Sequence, residues 1–151
     1  MSKTKLKEKD IVKKIVDSWE DYFPQLHFWR TEFSFRNFRV DIAANLEVDR
    51  EAYGLKPSPF KHMAPVFFEV KYNSEMRDLV YELKKQLEFR NFYVDVAGNL
   101  AFVCVISDKF DPTMTKFMIE NDIKMFKINI ENDDIDSLTL TEYNPNLIIE
   151  T

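Results

Sequence analysis

Midway along the chain, residues 65–72 read PVFFEVKY. A short run this apolar, rich in Val and Phe, reads as a strand in the middle of a sheet. Helices predicted on either side in sequence can pack on such a sheet. Residues 7–23 carry Ile11, Val12, Ile15, Val16, Trp19, Tyr22 and Phe23 on one helical face before Pro24 stops the helix. After the strand, Asn73 and Ser74 are N-cap candidates, and Glu75 and Asp78 suit a first helical turn. That helix runs to about residue 92, with Met76, Leu79, Val80, Leu83 and Leu87 as its stripe.

Residues 28–35 and 39–45 predict a hairpin around an Arg36-Asn37 turn. Residues 46–64, with Gly54, Pro57 and Pro59, predict a long connection. Residues 100–107, 123–130 and 135–140 predict strands, and Asp111 caps a short helix over 112–121. The order α-β-β-β-α-β-α-β-β gives an α/β fold class: a mixed central β-sheet flanked by helices, in a single domain over 1–151.

Composition removes several classes of function. Only Gly54 and Gly98 are glycine, so a P-loop or dinucleotide turn is excluded and no nucleotide cofactor is expected. The single Cys104 excludes a Cys-rich zinc site, and His27 and His62 are too far apart for an HExxH motif. No apolar run approaches membrane-spanning length, and MSKTKLKEKD lacks a signal peptide's apolar core, so a cytoplasmic protein without a membrane partner is expected. The net charge of −5 is uneven. Residues 1–40 hold nine basic and six acidic groups, while residues 94–151 hold four and eleven. Long-range steering toward DNA is therefore poor, but a local basic face survives.

Inside the apolar strand, Glu69 and Lys71 project from one face and Phe68 and Val70 from the other. Burying such charges costs several kcal/mol, of order 3–5 when one is left without its partner, unless they pair or bind something. The acid-x-Lys pattern recurs at Glu82–Lys84 and Asp122–Lys124, so position in the strand gives it meaning. Asp41, flanked by Val40 and Ile42, sits on the preceding predicted strand. If the two strands are neighbours, Asp41 and Glu69 converge, and two close carboxylates favour a shared Mg²⁺ or Mn²⁺. A cation there binds a phosphodiester oxygen and acidifies a bound water, with Lys71 placed to stabilise developing charge.

With Val40-Asp41, the variable connection and Glu69-Val70-Lys71 in view, residues 7–107 resemble the PD-(D/E)xK nuclease superfamily of restriction enzymes and junction resolvases. The resemblance implies a restriction-endonuclease-like core and Mg²⁺- or Mn²⁺-dependent DNA hydrolysis. It assigns metal ligation to Asp41, Glu69 and the Val70 backbone, and assistance to Lys71. Val40 stands in place of the name-giving proline. Many members add a Glu from the first helix, a role Glu20 is placed to fill. RecB-like members carry Gln and, four residues later, Tyr; here Gln86 is followed by Arg90. Arg50, Lys56 and Lys61 of the long connection, Lys13 and Lys14 of the first helix, and Arg90 are the expected phosphate contacts. DNA is the expected partner, with a homodimer left open.

Each residue also has a structural account. Glu69 and Lys71 can form a cross-strand ion pair, Asp41 can pair with Arg39, and Glu20 can face solvent. Gln86 and Arg90 can bond loops. The competing functional class is a catalytically inactive module that binds nucleic acid or protein, favoured by the acidic C-terminal third.

Overall fold

The computed structural model describes residues 5–35, 38–49, 51–54, 56, 62–73, 79–95 and 100–144. Helix α1 (Glu8–Asp17) and the short α2 (Trp19–Tyr22) precede strands β1 (His27–Phe35), β2 (Phe38–Val48) and β3 (His62–Lys71). Helix α3 (Leu79–Asp95), β4 (Phe102–Ser107), α4 (Pro112–Glu120), β5 (Lys124–Asn129) and β6 (Thr139–Glu142) follow. The strands form one six-stranded sheet in the order β1-β2-β3-β4-β5-β6. The pairs β1–β2, β2–β3 and β5–β6 are antiparallel, whereas β3–β4 and β4–β5 are parallel. The two parallel steps are the ones crossed by α3 and α4, as parallel neighbours require. The sheet is therefore mixed, as the sequence predicts.

Strand β3 is central and buried on both faces. Val66, Phe68 and Val70 join Ile11, Ile15, Trp19 and Phe23 in one core. The Trp19 ring meets Phe68 edge-on at 5.9 Å, an arrangement worth about 0.5–1.5 kcal/mol beyond simple burial. On the other face Phe67 packs with Val40, Ala43, Phe33 and Phe89. Next to it, Leu79, Leu83 and Leu87 of α3 and Met114 and Met118 of α4 cover Val103 and Val105.

Several elements depart from the sequence reading. The first helix is broken at Ser18, whose φ of −119° and ψ of 37° are not helical. Trp19 and Phe23 nonetheless stay in the core. Strands β2 and β3 are longer than expected, because Leu46, Glu47 and Val48 pair with Ala64, Met63 and His62. Residues 135–140 do not form one strand. Ile135–Ser137 is a 3-10 turn in which the Asp134 side chain accepts from Asp136 N–H, and β6 begins only at Thr139. Asp111 does cap α4, accepting from Met114 N–H at 2.8 Å. The expected Arg36-Asn37 turn and the helix-start residues Ser74, Glu75, Met76 and Asp78 lie outside the described residues. Asn73 takes a left-handed φ of 55°, a conformation asparagine tolerates, and its N–H donates to Asp108.

Candidate active site

The site forms where the β2–β3 ladder ends. Ile42 pairs with Phe68. Two residues further along β3, Val70 N–H donates to the Asp41 side chain, with Oδ2 at 2.7 Å. A carboxylate here takes the place of a neighbouring strand's carbonyl. The alternation of β2 breaks at the same point. Ile42 and Ala44 face the α1 core, whereas Val40 and Ala43 both face Phe67. That irregularity delivers Asp41 to the end of β3. The bond to Val70 N–H sets its carboxyl beside Glu69, close enough for the two to perturb each other's titration, so the two predicted metal ligands converge. Val70 reaches them through its backbone, while its side chain stays in the α1 core.

Glu69 is only 6% exposed. Gln86 of α3, 1% exposed, donates from Nε2 to Glu69 Oε2 at 2.7 Å and to Arg39 O at 3.3 Å. Glu82, one turn earlier on α3, also acts on the Glu69 carboxyl and raises its pKa. Burial first, then the Asp41 charge and the Glu82 contact, push the Glu69 carboxyl up to about 10, against the opposing Gln86 bond. Burial likewise raises Asp41, with Val70 N–H and Glu69 resisting and Glu8 adding to the rise. Lys71 Nζ lies 3.6 Å from Glu82 Oε2. Burial works to lower the Lys71 pKa, but Glu82, Glu69, Glu8 and Asp41 outweigh it, and the ammonium is held charged.

The first helix also reaches this point, but through Glu8, whose Oε1 accepts from Tyr72 N–H at 3.4 Å. Glu20 is exposed on α2, so the expectation that it completes the acidic cluster is corrected in favour of Glu8. Glu8 precedes Ile11, Val12 and Ile15 by three, four and seven residues, which puts it at the border of the buried stripe. Glu82 was equally legible, four residues before Gln86 on the inner face of α3. A groove of ≈ 470 Å³ runs between α1 and the β1–β2 hairpin; Lys9, Lys13 and Thr31 are among its walls, and Glu8 and Asp41 also line it.

The expected phosphate contacts scatter. Lys13 lines that groove and pairs with Asp17 at 2.7 Å. Lys14 faces Asp136 at 3.7 Å, which sets part of the acidic C-terminal third beside α1. Arg90 donates to Asn121 O at 2.7 Å, closing the end of α4. The 46–64 connection does not begin and end near the site. Val48 and His62 are its closing pair, six positions from Ile42 and Phe68, or about 20 Å along the strands. Arg50 and Lys61 lie outside the described residues.

Among the described residues, no three His, Cys, Asp or Glu side chains are already spread around a common metal-sized point. Asp41 and Glu69 are held by Val70 N–H and Gln86 instead. Their chemistry nonetheless fits a hard divalent cation, which needs only one or two carboxylates and fills its remaining positions with water. Glu82 Oε2 and Gln86 Oε1 are buried without a hydrogen-bond partner at the same place, so the cluster is under-satisfied as it stands.

No protein-family model matches the sequence, and no curated protein matches it. Two solved structures share its fold. A repair endonuclease from Pyrococcus abyssi superposes with a TM-score of 0.53 at 11% identity, over 84% of this chain and 49% of that one. EndoMS in complex with dsDNA gives 0.53 at 9% identity, over 83% and 47%. The chain spans about half the length of these structures, and the likeness is one of fold. No described helix is long and apolar enough to cross a membrane.

Proposed function

We propose that this chain is a Mg²⁺- or Mn²⁺-dependent deoxyribonuclease of the PD-(D/E)xK type, hydrolysing DNA phosphodiester bonds. The observation that carries the reading is Asp41 seated on the Val70 N–H at 2.7 Å, beside the buried Glu69 carboxyl, with the Lys71 ammonium on the same strand end. The fold likeness to two endonucleases supports it. Asp41 and Glu69, with the Val70 backbone, would hold the cation, and Glu8 would add charge from the first helix. When bound, the cation supplies Lewis-acid activation of the phosphodiester and a more acidic water. Gln86 fixes the Glu69 rotamer through its 2.7 Å bond. Lys71, kept protonated by its acidic neighbours, stabilises negative charge developing on the phosphoryl oxygens. Lys9 and Lys13 on the groove beside Asp41 are the basic side chains best placed to meet a phosphate backbone.

A second reading, a module that keeps the fold and binds nucleic acid or protein without cutting, is favoured by the excess of acidic groups in residues 94–151. One comparison separates the two. Purified protein with Mn²⁺ is incubated with linear, branched and single-stranded DNA, beside Lys71→Ala. Cleavage by the wild type and its loss by at least about 100-fold in the variant, with an unchanged circular dichroism spectrum, supports the nuclease. Intact DNA in every wild-type reaction refutes it.

A further inference from the structure

Helix α3 presents Glu82 and Gln86 four residues apart, about 6 Å along a helix. Strand β3 presents Lys71 and Glu69 two residues apart, about 6.6 Å along a strand. The two spacings match, and the side chains meet in pairs. Gln86 bonds Glu69 at 2.7 Å, and Glu82 faces Lys71 at 3.6 Å. Glu82 Oε2 is buried and makes no hydrogen bond, so the nearby ammonium is the charge that compensates it. The Lys71 side chain is 17% exposed, far less than a surface lysine such as Lys116 at 79%.

The geometry points to Glu82 as the positioning residue of Lys71: it anchors the ammonium beside Glu69 while a divalent cation occupies the acidic pair. The inference rests on the nuclease reading for its consequence, but the Glu82–Lys71 contact stands apart from it. A cation drawn in by Asp41 and Glu69 repels an ammonium two residues away on the same strand face. Lys71 has a flexible four-carbon stem that swings to solvent unless something holds it. Glu82 approaches from α3, opposite the strand, and supplies the opposing charge. Gln86 and Glu82 thus divide the work: one fixes the acid, the other the base-type side chain next to it.

The test is acylation footprinting of Lys71 by mass spectrometry, normalised to Lys116, with and without Mn²⁺. Wild type, Glu82→Gln and Glu82→Asp are compared, each checked by its urea midpoint. Lys71 is expected to react slowly in the wild type under both conditions. In Glu82→Gln it reacts about fivefold faster without metal and faster again with Mn²⁺, and Glu82→Asp recovers part of the protection. In DNA cleavage Glu82→Gln lowers kcat by about 10–100-fold at unchanged KM. Equal Lys71 acylation in wild type and Glu82→Gln under both conditions overturns the inference. If the wild type neither binds Mn²⁺ by calorimetry nor cuts DNA, the nuclease reading fails, while the metal-free labelling still decides whether Glu82 holds Lys71.

Discussion

Replacing Glu69 by Gln is expected to make the metal-free protein more stable at neutral pH. Burial, the Asp41 charge and the Glu82 contact raise the folded-state pKa of Glu69 from 4.5 to about 10. Between those limits the folded chain binds the proton that the unfolded chain has released, so stability falls as pH rises. The loss accrues at about 1.4 kcal/mol per pH unit. From pH 4.5 to pH 7 that is about 2.5 units, on the order of 3 kcal/mol as an upper bound. Asp41, also raised, leans the same way. A glutamine is neutral at every pH and keeps the shape, so Glu69→Gln should gain about 1–3 kcal/mol at pH 7 and nothing near pH 4.5. The assay is urea denaturation in EDTA at pH 5, 6 and 7. Mn²⁺ at about 1,000 times its Kd should then reverse the ranking, since it adds about 4 kcal/mol to the wild type alone. A wild-type stability that is flat from pH 5 to 7, or a Glu69→Gln variant less stable than wild type in EDTA, would refute the reasoning.

Asp41→Ala should abolish Mn²⁺ binding in calorimetry and also cost about 1.5–3 kcal/mol, because it strands Val70 N–H at the ladder end. Arg90→Ala should lower stability by about 2 kcal/mol through loss of the bond to Asn121 O, yet leave Mn²⁺ affinity unchanged; a selective loss of metal or DNA binding would return Arg90 to the site. Cys104 is buried, and burial pushes its thiol up to about 12, so a thiol reagent at pH 8 should modify it only at the rate of unfolding. Rapid native-state labelling would contradict that burial.

The two-faced apolar run at 65–72 was enough to place β3 at the centre, and the acid-x-Lys pattern inside it marked the chemistry. Periodicity also found the helices, because burial on one stripe is what periodicity records, whereas Gln86 was reached through the family resemblance. It could not foresee the break at Ser18, which depends on how Trp19 and Phe23 dock, or the turn at 135–137, where local side-chain bonds from Asp134 compete with strand pairing. The acids misassigned or overlooked share one cause. Glu8 and Glu82 sit half-buried at helix starts, at the border of each helix's apolar stripe, where a carboxylate reads first as a partner of the helix dipole. Their convergence depends on the direction in which α1 and α3 cross β3. The phosphate contacts expected from the 46–64 connection fail for a different reason: loop length says nothing about which end of a hairpin the loop closes, and strand register alone decides it.

The strand order, which follows the chain from β1 to β6 without a reversal, bears on how the protein assembles. Each strand pairs with the one that precedes it in the chain, so no pairing has to wait for a later strand. Such a sheet can lengthen by accretion from one edge, with α3 and α4 laid down as each parallel step is completed. Sheet pairings between consecutive strands close shorter loops than a shuffled strand order would, which favours faster folding for the β content. The acids of β2, β3 and α3 then come together as soon as the third strand and its following helix have formed, before β4–β6 are in place. Pulse-labelling hydrogen exchange would see that order as early protection at Val66 and Phe68 and late protection at Lys127 and Ile128.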